Sequence, residues 1–140
     1  MISEHLLQKI ERIPETTEIM EKVREVLKPY KEEIKFAFLF GSYAKGEADI
    51  WSDVDIGIYF SKGLSDEEKN RIRFGVIDAL HPMQVHIGYL DDELTSPLVF
   101  IEASKGIQIV MNDEDTFFNE LLKNIHIAEE MRLFGILEKD

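Results

Sequence analysis

Two carboxylates two residues apart, Asp53 and Asp55, open the apolar stretch DVDIGIYF (53–60). On an extended strand Asp53, Asp55 and Gly57 share one face, and Val54, Ile56, Ile58 and Phe60 share the other. The two carboxylates then lie roughly 6.5 to 7 Å apart along the backbone, where they repel unless a cation sits between them. The pair is either a solvated strand start or a donor set for a hard cation. Mg²⁺ takes a few carboxylate oxygens and keeps positions open for phosphate, and Gly57 would leave room above the sheet. Upstream, Gly41-Ser42 ends a second apolar run, IKFAFLF (34–40). A glycine there lets the backbone turn sharply and lets a ligand approach main-chain N–H groups. A short helix over Ser42 to Lys45 would favour an anion such as a triphosphate, and an ordinary strand-to-helix turn is the alternative.

These residues need elements to hold them. The run at 34–40 is apolar on both alternating faces, as a central strand covered on both sides would be. Stretch 53–60 is the second strand. MQVHIGYL (83–90) is the third, with His86 and Gly88 on one face and Val85, Ile87 and Tyr89 on the other. IQIVM is a short fourth strand. Apolar spacing predicts a first helix carrying Leu6, Leu7, Ile10 and Ile13, and a second carrying Ile19, Met20, Val23, Val26 and Leu27 that ends before Pro29. Ser65, followed by Glu68, opens a helix running to about Leu80, with Ile72, Phe74, Val76, Ile77 and Leu80 expected on its inner face. Ser96-Pro97 starts another, closing at Gly106 as a C-cap candidate. A long terminal helix carries Phe117, Phe118, Leu121, Leu122, Ile125 and Ala128, with a break near Gly135. Its apolar positions continue through Met131, Leu133, Phe134 and Leu137, so its last part is expected to pack on another chain or back over its own sheet. The order predicts an α/β (α+β) fold: one domain over 1–140, a small mixed sheet of about four strands flanked by helices.

Composition sets outer limits. The 140 residues are 44% hydrophobic, which suits a single core, and no cysteine is present, so thiolate metal sites and thiol nucleophiles are excluded. A formal charge of −12 argues against general nucleic-acid binding, which needs lysine and arginine to displace counterions. The acidity serves solubility or complements a basic protein partner. No stretch is long and apolar enough to span a bilayer, so a cytoplasmic protein without membrane contact is expected.

Joined, the elements read Gly-Ser, ten residues, then Asp-x-Asp, with a strand before the first pair and another opening at the second. This pattern resembles the nucleotidyltransferase superfamily of DNA polymerase beta, and the form GSYAKGEADIWSDVDIGI is most similar to its minimal nucleotidyltransferases, the MNT family. SPLVFIEASKGIQIVMND also looks like that family's late helix, glycine and final short strand. The resemblance implies a nucleotidyltransferase fold and metal-dependent transfer of a nucleoside monophosphate, AMP from ATP foremost, to an acceptor hydroxyl. Carried onto this sequence, Gly41 and Ser42 would hold the triphosphate, and Asp53 and Asp55 would bind Mg²⁺ or Mn²⁺. Lys45 could reach a phosphate, or be an ordinary exposed lysine of a short helix. Trp51 could cover a base, with partial packing as the alternative.

The family's third metal-binding acid sits on a following strand, where this chain has His86. Asp91 and Asp92 are near in sequence, but Asp91 falls on the opposite alternation, about 16 Å further along an unbroken strand. His86 is either a hydrogen-bonded strand histidine or a base near the phosphate, and it matches Mg²⁺ less well than a carboxylate, nitrogen ligands favouring Mn²⁺ or Zn²⁺. MNT proteins pair with HEPN-type RNase toxins and act as antitoxins by adding AMP to a toxin tyrosine. The resemblance therefore implies either such an enzyme or a catalytically weakened nucleotide-binding module that neutralises its partner by contact. A homo-oligomer is a further possible assembly, and the chain looks short for an antibiotic nucleotidyltransferase.

Overall fold

The computed structural model describes residues 14–135, so the helix expected around Leu6, Leu7, Ile10 and Ile13 lies outside the described residues. The first described helix, α1 (Thr16–Leu27), buries Ile19, Met20, Val23 and Leu27, the positions whose spacing announced it. Pro29 follows in a 3₁₀ turn, Lys28–Tyr30, where a missing N–H costs little. The chain then enters β1 (Ile34–Phe40), the short helix α2 (Ser42–Lys45) and β2 (Val54–Phe60). Helix α3 (Asp66–Leu80), β3 (Val85–Tyr89), α4 (Pro97–Ser104), β4 (Ile107–Met111) and α5 (Glu114–Leu133) complete the order.

The four strands form one mixed sheet in the order β3-β2-β1-β4. β1 is antiparallel to both β2 and β4, whereas β2 and β3 run parallel. β1 and β2 are thus the central strands, which explains why IKFAFLF is apolar on both faces. One face, with Ala37, Leu39, Val54, Ile56, Ile58 and Phe60, packs with Ile19, Val23, Ile72, Val76 and Leu80 of α1 and α3. The other joins Phe36 and Phe38 to Phe100 and Ala103 of α4, Phe117 of α5 and Leu90. Phe117 stacks on Phe38 at 5.3 Å and meets Phe36 edge-on at 5.1 Å, a ring cluster that seats α5.

Several expectations are corrected. Phe74 is exposed rather than inward, since two residues on from Ile72 is about 200° around a helix; the Arg73 guanidinium covers its ring at 5.5 Å. The space above Gly57 is filled, because a Cβ there would meet the Leu90 side chain at 2.9 Å. Gly106 is not a left-handed cap; Lys105 caps α4, and a side chain at Gly106 would collide with the Leu39 carbonyl. No helix among the described residues is long and apolar enough to cross a membrane.

Candidate functional site

The sheet register brings the chemistry-bearing residues together. Phe40, the last residue of β1, pairs with Asp55, and Asp55 pairs across the parallel ladder with His86. Asp53 stands just before β2, whose first N–H, from Val54, donates to the Gln84 carbonyl at 2.8 Å. The His86 ring lies against both acids, with Nε2 3.5 Å from Asp53 Oδ2 and Nδ1 3.7 Å from Asp55 Oδ1. Separated by 31 positions in sequence, Asp55 and His86 meet because β3 runs parallel to β2 in this register.

Gly41 is fixed in this cluster for two reasons. Its backbone, at φ 74° and ψ −154°, lies in a region essentially closed to other residues. A Cβ there would also run into the Asp55 carboxylate. The Gly-Ser turn therefore sits directly on one member of the acid pair. From Gly41 the chain makes the single turn of α2, which ends at Gly46 in the left-handed conformation, its N–H donating to the Ser42 carbonyl.

Burial raises the Asp55 carboxyl above the usual aspartate value, with His86 opposing that shift and Asp53 adding to it. Asp53 and Asp55 remain partly open to solvent, and His86 is mostly exposed. Among the described residues no group of three or more acidic or histidine side chains is arranged as a complete metal cage. A pair of hard carboxylate oxygens at the solvent-open start of β2 fits a cation whose remaining ligands come from phosphate and water.

Other residues of the neighbourhood have definite positions. Lys45 extends from α2 to Glu102 on α4, Nζ to Oε1 3.3 Å, an exposed pair. Asp91 is committed elsewhere: Oδ1 accepts the Phe60 N–H at 3.0 Å, and Oδ2 pairs with Lys69 at 2.7 Å at the far end of β2. Trp51 packs on little and is 66% exposed. The loop that carries it is braced by Asp49, whose Oδ1 accepts the Trp51 N–H at 2.9 Å, while the Asp49 N–H donates to Ser52 Oγ at 2.8 Å. The Asp-x-x-Ser spacing was a readable turn signal, whereas nothing in the sequence links Glu102 to Lys45.

The family model described as polymerase beta, nucleotidyltransferase, matches residues 21–115. Comparison with curated proteins gave no match. Among solved structures, a toxin–antitoxin structure with AMP-PNP superposes with TM-score 0.66 at 19% identity, over 81% of this chain and 90% of that one. The tri-AMPylated Shewanella oneidensis HEPN toxin in complex with MNT antitoxin gives TM-score 0.62 at 16% identity, over 84% of this chain and 90% of that one. The MntA–HepT toxin–antitoxin gives 0.61 at 15%, over 84% and 90%. At these identities the likeness is one of fold. Since the matched segment spans more than half of the chain and takes in the Gly41 turn, the acid pair and all four strands, this chain belongs to the polymerase beta nucleotidyltransferase family.

Proposed function

We propose that this chain is a metal-dependent nucleotidyltransferase that moves a nucleoside monophosphate, AMP from ATP, to an acceptor hydroxyl, a tyrosine on a HEPN-type toxin. The observation that carries the reading is the contact of Gly41 with Asp55, beside Asp53 and His86: a turn with room only for glycine is built against the acid pair. The fold's occurrence in toxin–antitoxin structures, one with AMP-PNP and one with an AMPylated HEPN toxin, supports the choice of nucleotide and partner. A formal charge of −12 favours a basic partner surface.

In this reading Asp53 and Asp55 hold Mg²⁺ or Mn²⁺, Gly41 and Ser42 present backbone to the phosphates, and Lys45 supplies a positive charge. The bound cation would polarise the phosphoryl oxygens and neutralise charge developing during transfer. His86 lies against both acids, Nε2 3.5 Å from Asp53 and Nδ1 3.7 Å from Asp55, at the position where the family carries its third acid. It also replaces a negative ligand with a neutral one, and for that reason a second reading is kept: a nucleotide-binding antitoxin of low catalytic power that acts by contact.

Calorimetry with ATP, with and without Mg²⁺, tests the site. Nucleotide affinity should depend on the metal and fall sharply in the Asp53→Asn, Asp55→Asn double variant. Equal affinity in parent and variant would mean that the acid pair is not the metal-nucleotide site.

A further inference from the structure

The Gly41 turn borders more than the acid pair. Gly41 also lines a cavity of about 290 Å³, together with Phe40, Ala44, Lys45, Glu102, Lys105 and Gly106. Ligand pockets for whole drug-sized molecules run from about 300 to 1,000 Å³, so this one suits part of a nucleotide. Gly41 is shared between the cavity and the acid pair, which makes the two regions neighbours around a single backbone turn. The lining carries two lysines and one glutamate, an excess of positive charge in a chain of formal charge −12.

Lys105 is positioned by backbone constraints rather than by its side chain. It caps α4, its N–H donating to the carbonyls of Ile101 and Glu102 at 3.3 Å. The next residue, Gly106, is pressed so closely onto the Leu39 carbonyl that no side chain fits. One residue further on, Ile107 pairs with Leu39 in the sheet. The Lys105-Gly106 turn is therefore held against the end of β1, two residues from Gly41. Lys45, by contrast, is engaged by Glu102. Among the described residues the Lys105 ammonium has no ion-pair or hydrogen-bond partner.

We propose that Lys105 is a second phosphate-binding residue, that this cavity receives the terminal phosphates of the nucleoside triphosphate, and that Glu102 competes with them for Lys45. The inference rests on the transferase reading above and adds to it the residues that select a triphosphate over a monophosphate. Its chemistry is simple. The terminal phosphates carry most of the nucleotide's negative charge, and the acid pair repels them wherever the cation does not reach. A lysine acts on phosphate as a mobile point charge. When phosphates enter, Lys45 exchanges the Glu102 carboxylate for phosphate oxygen, and Lys105 supplies a second ammonium from the same lining. A lysine at the end of α4 also complements the helix dipole, but that effect does not distinguish one nucleotide from another.

The test is calorimetric titration of the full chain, in Mg²⁺, with ATP and with AMP. Lys105→Ala should weaken ATP binding about tenfold, the loss of one charge-assisted contact, and change AMP binding less than about twofold. Lys105→Arg should restore most of the ATP affinity. Glu102→Gln should tighten ATP binding by a few fold, because Lys45 is released. Inorganic tripolyphosphate should compete with ATP in the parent and less well in Lys105→Ala. If Lys105→Ala leaves ATP affinity unchanged, or weakens ATP and AMP equally, the inference is overturned while the transferase reading stands. A parent that binds no ATP would overturn that reading, and the inference with it.

Discussion

At position 41 a single methyl group is enough to test the site. Gly41→Ala must leave its present φ and ψ and also displace the Asp55 carboxylate. The strain is of order 1–3 kcal/mol, and metal-nucleotide binding should fall with stability. Gly46 is the control: its φ is likewise positive, 73°, but a Cβ there meets nothing within 4 Å. Gly46→Ala should cost about 1 kcal/mol and spare nucleotide affinity, as read by chemical denaturation and calorimetry. His86 carries the second residue-scale prediction. Single-turnover transfer should be slow with Mg²⁺ and faster with Mn²⁺, and His86→Asp should raise the Mg²⁺ rate by restoring a hard anionic ligand. A parent fast with Mg²⁺ that loses rate on this change would make the histidine a working part of the site. Gly41-Ser42 and Asp53-x-Asp55 were legible as motifs because each is local in sequence. Glu102 beside Lys45 and Leu90 over Gly57 were not, since both contacts come from chain segments more than 30 residues away.

At the scale of elements, α5 is anchored at its first turn in two ways. Asp113 caps it, accepting the Thr116 N–H at 3.0 Å, and also pairs with Lys35 at 2.9 Å. The Thr116 backbone bond first, then Lys35, hold the Asp113 carboxyl well below the usual aspartate value. A lowered value in the folded state means that the contribution to stability is present above the unfolded pKa of about 3.9 and is lost as pH falls toward the folded value. Thermal unfolding between neutral pH and strong acid should show that loss in the parent and less of it in Asp113→Asn, which retains a capping side chain without the titrating charge. At the end of that same turn, Phe117→Ala empties the ring cluster with Phe36 and Phe38 and should cost about 3–5 kcal/mol in denaturant titration. Helix and strand spans were readable wherever one face is apolar at regular spacing, as at Ile19, Val23 and Leu27. The inward assignment of Phe74 failed because hydrophobicity alone does not fix which side of a helix meets the sheet. Gly106 was read as a cap because its packing against Leu39 depends on strand pairing.

Viewed whole, the molecule is acidic, and among the described residues α1 and α3 cover one face of its sheet, α4 and α5 the other, with the acid pair at the open start of the central strand β2. Its outermost helix leaves Phe118, Leu122, Ile125 and Leu133 exposed, and Phe134 beyond it as well. A partner helix with an apolar face would suit such a stripe, so truncation after Glu130 should reduce the mass of the complex seen by light scattering with a HEPN-type partner present. An unchanged mass would remove the end of α5 from any interface. The central claim, nucleotidyl transfer through the Gly41, Asp53 and Asp55 cluster, is tested most directly by incubating the chain with Mn²⁺, a HEPN-type partner and ATP labelled at the α-phosphate, then locating the label. The account predicts labelled AMP on a tyrosine of the partner, and none when Asp53→Asn and Asp55→Asn are introduced together. Equal labelling by the double variant, or a partner neutralised without label, would contradict it.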